Sequence, residues 1–156
     1  MTDLDKADRR LLALLQENNQ LTNLELAERA NLSPPTCLRR VRRLREDKII
    51  SADVSLLDPQ MIGKNLFVFI SIVLERQTEQ LQRAFERKME KADEVMQCYM
   101  VSGDTDFMVV AQVSDMNSYH SFVRNTLTGD PNIRNFRSSF AMNRSKFRTQ
   151  VNLDLD

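Results

Sequence analysis

Hydrophobic positions keep two different rhythms along this chain, and the change comes near residue 60. In the first fifty residues they recur every three or four positions, the period of a helix with one buried face. Leu11, Leu12, Leu14 and Leu15 follow Asp5, which is placed to cap a helix with Asp8 at its third position. Thr22-Asn23-Leu24-Glu25 spells a capping box, so a second, short helix is expected over 23–30, with Leu24, Leu26 and Ala27 on its apolar side. Asn31-Leu32 marks a tight turn. Ser33 is placed to cap a third helix whose first turn holds Pro34 and Pro35, where a missing N–H costs nothing. In that helix Leu38, Val41 and Leu44 make the expected buried stripe. Thr36, Arg40 and Arg43 are expected on the opposite side, flanked by Arg39 and Arg42.

Beyond residue 64 the period becomes two. Leu66, Val68, Ile70, Ile72 and Leu74 alternate with Phe67, Phe69, Ser71 and Val73, which predicts a strand. A helix is expected over 78–92 with Leu81, Phe85 and Met89 at spacing four. Strands follow over 95–101 and 107–113, then a helix over 116–127 and a strand over 133–142. The order β-α-β-β-α-β predicts a ferredoxin-like sandwich. Between the halves, Asp58-Pro59 and Gly63 break the chain, and Ala52, Val54 and Leu56 alternate as a short strand would. The expected class is α+β: a helix-turn-helix domain, winged-helix-like, over 1–50, a linker over 51–64, and a ferredoxin-like domain over 65–156.

Such a sheet has helices on one face only. Phe67, Phe69 and Val73 on one strand and Met96, Cys98 and Met100 on another predict a sheet apolar on both sides, and hence a homodimer.

Charge sharpens the reading of the first half. The chain of 156 residues is neutral overall, with 22 basic and 22 acidic residues, yet Arg39 to Lys48 carries six basic residues against Glu46 and Asp47, a local +4. A basic face on the second helix of a helix-turn-helix suits double-stranded DNA. Ser33, Pro34, Thr36, Arg39, Arg40, Arg42 and Arg43 are the candidate DNA-binding residues. A charge run on its own usually means a solvated face; here the capping box, the short turn and the local charge agree.

Other classes have little support. No apolar run approaches a membrane span. Met1 to Lys6 is acidic and polar, unlike a signal peptide. Cys37 and Cys98, far apart, do not read as a disulfide framework, and a cytoplasmic protein is expected. One histidine, His120, and two distant cysteines cannot form a usual zinc shell, and no phosphate-binding glycine loop or nucleophile elbow occurs. No enzyme, metal or cofactor is expected.

Leu4-Asp5-Lys6-Ala7-Asp8-Arg9, Leu32-Ser33-Pro34, Cys37-Leu38-Arg39-Arg40-Val41-Arg42-Arg43-Leu44 and Cys98-Tyr99-Met100-Val101-Ser102-Gly103-Asp104-Thr105-Asp106-Phe107 together resemble the Lrp/AsnC, or feast/famine, regulators. The resemblance spans both domains in order. It implies a transcriptional regulator whose second domain senses a free amino acid, and an assembly of dimers into larger rings, often octamers. It also implies an effector site around the turn after the second sensor strand, between dimers. Asp104 or Asp106 would accept from the ammonium group, and backbone N–H groups near Gly103 would donate to the carboxylate. Met100, Ser102, Thr105, Phe107, Phe140 and Ala141 complete the candidate effector set. Taken alone, Gly-Asp is everyday turn chemistry. No further charged group neighbours the turn, and Met108 and Met142 add to its apolar surroundings, so leucine or methionine is the expected effector. Two alternatives remain within this plan. One is an architectural DNA-binding protein without an effector. The other is an enzyme like the relatives that decarboxylate a haem precursor, which the lone His120 and the intact arginine helix disfavour.

Overall fold

The structure is a computed structural model describing residues 3–153. The first two residues of the acidic N-terminal segment and the last three of the expected second domain lie outside the described residues. The chain divides into two compact units: Met1–Leu56 together with Lys146–Asp156, and Leu57–Ser145.

The first unit holds three helices: α1 (Lys6–Glu17), α2 (Asn23–Ala30) and α3 (Pro34–Glu46). The expected Thr22–Glu25 capping box is present, and Asp5 and Asp8 form a second one. The Asp8 N–H donates to Asp5 and the Glu25 N–H to Thr22, with each N3 carboxylate reaching back to the cap backbone. Asn31 ends α2 in the left-handed region, at φ 55°, where asparagine is among the better tolerated residues. Leu11, Leu26, Ala27, Ala30, Cys37 and Val41 form the core of this unit. The stripe on α3 is Cys37, Val41 and Leu44; Leu38, expected inside, is 58% exposed, as is most of Leu24 on α2. The helical period fits either Cys37 or Leu38, and packing against α1 and α2 selects the cysteine. The Ser33 side chain caps no amide but donates to the Thr36 hydroxyl at 2.8 Å. Two prolines remove two of the donors a cap would serve, and the Cys37 N–H is satisfied by the Ser33 carbonyl.

No strand forms at Ala52, Val54 and Leu56. Residues 51–58 are coil, Val54 and Leu56 are well exposed, and no other strand of the described residues pairs with them. The described tail, 146–153, is also coil, and it joins the first unit rather than the sandwich. Arg9 donates to the Leu153 carbonyl at 2.9 Å, and Gln16 exchanges hydrogen bonds with Val151, accepting from its N–H and donating to its carbonyl.

The second unit contains β1 (Leu66–Leu74), α4 (Glu79–Glu90), β2 (Val95–Met100), β3 (Phe107–Val113), α5 (Met116–Phe122) continuing as a π-helical turn (Val123–Leu127), and β4 (Ile133–Phe140). The sheet is antiparallel in the order β2-β3-β1-β4, the ferredoxin-like arrangement. Its core lies between the sheet and α4 and α5: Val68, Ile70, Ile72 and Leu74 from β1, Phe107, Val109, Ala111 and Val113 from β3, and Phe85, Met89, Phe122 and Leu127 from the helices. Phe85 and Phe107 stack with ring centres 4.6 Å apart.

The two faces of β2 differ from expectation. Cys98 lies opposite Val109 and Met100 opposite Phe107, so both belong to the helix-covered face. Burial, and then the nearby Glu86, push the Cys98 thiol up to about 11. The open face is built by Phe67, Phe69 and Val73 of β1, Met108 and Val110 of β3, and Tyr99 of β2, with Gln97, Gln112, Arg137 and Ser139 among them. Arg144 lies over the Phe67 ring, 5.2 Å from its centre, while Phe69 and Tyr99 remain exposed.

Candidate functional site

Two regions carry the candidate residues. The first is α3. With Cys37, Val41 and Leu44 turned inward, the 3.6-residue period directs Pro35, Arg39, Arg42 and Glu46 outward. Thr36, Arg40 and Arg43, expected on that outer side, lie instead on the flank towards α1. The Arg40 Nη1 donates to Asp5 at 2.7 Å and to Asp8 at 2.9 Å, and Arg43 Nη2 donates to the other Asp8 oxygen. Asp8 is 1% exposed. Arg45 pairs with Asp53 at 3.1 Å. Arg39 and Arg42 are exposed and have no carboxylate partner among the described residues. Ser33, Pro34 and Pro35 are exposed at the start of the helix, and Thr36 is half-buried. A short helix-turn-helix thus presents a helix N-terminus and two unpaired guanidinium groups, a geometry able to enter a major groove.

The Asp5 carboxyl is held below its ordinary value by the Asp8 backbone N–H and then by Arg40. A carboxylate with a lowered folded value stabilises the fold above its unfolded value, and that contribution disappears as pH falls through the folded one. The stability difference between the natural chain and Asp5→Asn is therefore expected to be full at neutral pH and to shrink below about pH 4. Thermal unfolding followed from pH 7 to pH 3 checks this; a difference independent of pH would contradict it.

The second region is the turn between β2 and β3. Ser102, Gly103 and Asp104 are exposed, and Gly103 adopts φ 126°, a conformation open essentially to glycine. Asp106 is anchored. Its N–H donates to the Ile72 carbonyl at 2.8 Å, its carbonyl accepts from Val101, and its carboxylate accepts from the Leu74 N–H at 2.7 Å. Its second carboxylate oxygen is uncommitted among the described residues. Thr105 is half-buried beside it, and Met100, 53% exposed, stands at the same end of the sheet.

Three other effector candidates do not join this turn. Phe107 is fully buried in the core and packs against Phe85 of α4. Phe140 lies opposite Val68, whereas Phe107 lies opposite Ile72. Four residues of β1 separate those positions, roughly 13 Å at the usual rise per strand residue. Phe140 packs edge-on against Tyr119, 5.1 Å between ring centres, and Ala141 donates to the Phe67 carbonyl at the same far end. One chain therefore holds the two parts of the candidate effector set at opposite ends of its sheet. His120 is exposed on α5, and no group of three metal-ligating side chains occurs among the described residues. Nor is any described helix long and apolar enough to cross a membrane.

Sequence reasoning missed Asp8 as a partner of α3, although its place at the third position of the helix capped by Asp5 was plain. Contact across thirty-five positions leaves no local signal.

The chain matches a winged helix-turn-helix DNA-binding domain over residues 4–51 and the Lrp/AsnC ligand binding domain over residues 67–151. It is 42% identical to an HTH-type transcriptional regulator of Haemophilus influenzae, over 94% of this chain and 87% of that protein. It is 35% identical to the leucine-responsive regulatory protein of Salmonella typhimurium, over 92% of this chain and 88% of that one. A solved transcriptional regulator from Neisseria meningitidis, in complex with L-methionine, shares 36% identity and superposes with a TM-score of 0.91, covering 97% of this chain and 98% of its own. These relatives are regulators, not enzymes. With both of its units matched in order, the chain belongs to the Lrp/AsnC family of DNA-binding transcriptional regulators, with a helix-turn-helix unit and a ligand-binding unit.

Proposed function

We propose that this regulator binds double-stranded DNA through the outer face of α3 and senses a free apolar amino acid, methionine or leucine, at the Ser102–Asp106 turn. The observation that carries the effector reading is that turn itself. An exposed glycine at positive φ opens the backbone, and a carboxylate fixed to β1 keeps one oxygen uncommitted. The uncommitted oxygen of Asp106 would accept from a ligand ammonium group, backbone N–H groups near Gly103 would meet the ligand's carboxylate, and Met100 would border its side chain. The methionine complex of the Neisseria relative and the name of the Salmonella relative support an effector of this class.

Phe140 and Ala141 reach such a ligand only from another copy of the chain. The open sheet face, with Phe67, Phe69, Val73, Met108, Val110 and Tyr99, is the surface we assign to a homodimer, which would assemble further to an octamer. Effector binding between dimers would then bias their packing, and with it the spacing of paired α3 helices on an operator. A cytoplasmic location accords with this role.

Thermal unfolding with added methionine or leucine tests the effector reading. A ligand that binds only the folded state adds about 2.7 kcal/mol at a hundred times its dissociation constant. Asp106→Asn retains an oxygen for the Leu74 N–H but not the negative charge, so it is expected to keep the fold and lose the ligand-induced rise. Asp104→Asn tests the other carboxylate. A rise unchanged in both variants would place the ammonium contact elsewhere, and no rise with either amino acid in the natural chain would leave an architectural DNA-binding protein.

A further inference from the structure

We propose that Asp8 is a positioning residue for DNA binding: it holds Arg40 and Arg43 away from phosphate and fixes the face that α3 presents. Among the described residues of its unit Asp8 is the buried charged one, and its two oxygens are divided between the two arginines. Both carboxylates sit at the N-terminal end of α1, where the helix dipole favours negative charge. Arg40 spans Asp5 and Asp8 with a single nitrogen, and its Nε is buried without a hydrogen-bond partner. A guanidinium held that way has given up a donor to stay in place, which points to a fixed bracket between α1 and α3 rather than a passing surface pair.

The consequence is electrostatic. The +4 of Arg39 to Lys48 is offset by Asp5, Asp8 and Asp53, which pair with Arg40, Arg43 and Arg45, so the assembled cluster carries +1. Basic charge free to neutralise phosphate drives binding to any sequence. By engaging two arginines internally, Asp8 lowers that indiscriminate attraction and leaves contact to Arg39, Arg42 and the start of α3.

The dependence of affinity on salt counts the phosphates engaged, and a merely structural role for Asp8 would not increase it. The test uses the full chain and a labelled random-sequence duplex, with affinity measured across a salt series. Asp8→Asn is expected to bind this duplex more tightly, and its log–log slope is expected to steepen by about 0.9 for each arginine released to a phosphate. Arg43→Gln leaves Asp8 paired with Arg40 and is expected to keep the slope of the natural chain. An unchanged or shallower slope in a folded Asp8→Asn protein would overturn the proposal. So would a slope shallower by about 0.9 in Arg43→Gln, because that arginine would then already be on the DNA. The second variant decides the matter if the first does not fold.

Discussion

Replacing Arg39 and Arg42 together with alanine is expected to weaken binding to duplex DNA by about a hundredfold or more, at 1–3 kcal/mol for each contact. Both arginines are exposed on the side of α3 away from the unit's core and have no carboxylate partner among the described residues. Neither packs in the core cluster of its unit, so the thermal stability of the variant should stay within about 1 kcal/mol of the natural chain. Titration of labelled duplex at several salt concentrations separates the two ways an arginine can act. If both guanidinium groups lie on phosphates, the log–log slope becomes shallower by about 1.8 and binding falls on every sequence alike. If one reads a base edge, the slope changes less and the loss is greater on a preferred sequence than on a random duplex. Unchanged affinity at physiological salt would move the DNA contact off the outer face of α3 altogether.

That expectation inverts part of what the sequence suggested, and the reason is physical. Five arginines in seven positions are visible in any reading, but which of them are free depends on carboxylates from elsewhere in the chain. Asp5 and Asp8 were legible as caps of α1 because capping is local, spanning three residues. Their pairing with Arg40 and Arg43 depends on how α1 crosses α3, which no period reveals. The same limit explains Leu38. Helical spacing allows it or Cys37 to face inward, and only packing chooses the smaller residue. Long, strongly periodic elements were legible: β1 and β3 fall where alternation puts them, and the ferredoxin-like order follows. Alternation at Ala52, Val54 and Leu56 misled because a strand also needs a neighbour to accept its hydrogen bonds, and none of the described strands takes that place. In the candidate effector region the turn itself was plain from Ser102-Gly103-Asp104. The separation of Phe140 and Ala141 from it was not, because register decides which end of a strand meets which.

Phe107 shows how the strand pattern of the second unit converts into stability. It begins β3, directly after the anchored Asp106, and is fully buried against Phe85 of α4. The residue that opens β3 after the Ser102–Asp106 turn is therefore also a central piece of the sandwich. Phe107→Ala removes most of that ring's contacts and leaves a void between sheet and helix, which is expected to cost about 3–5 kcal/mol. Domains of this size are stable by roughly 5–15 kcal/mol, so the variant should unfold well below the natural chain. Phe107→Leu keeps most of the volume and should recover much of that loss. Denaturant unfolding of the full-length proteins, with hydrogen exchange to assign the loss to β1 and β3, provides the check. If Phe107 were instead a ligand contact, the alanine variant would keep its stability and lose only the methionine-induced rise. A large loss of stability in the absence of any amino acid marks it as core, and the proposed ligand contacts then rest on the Ser102–Asp106 turn beside it.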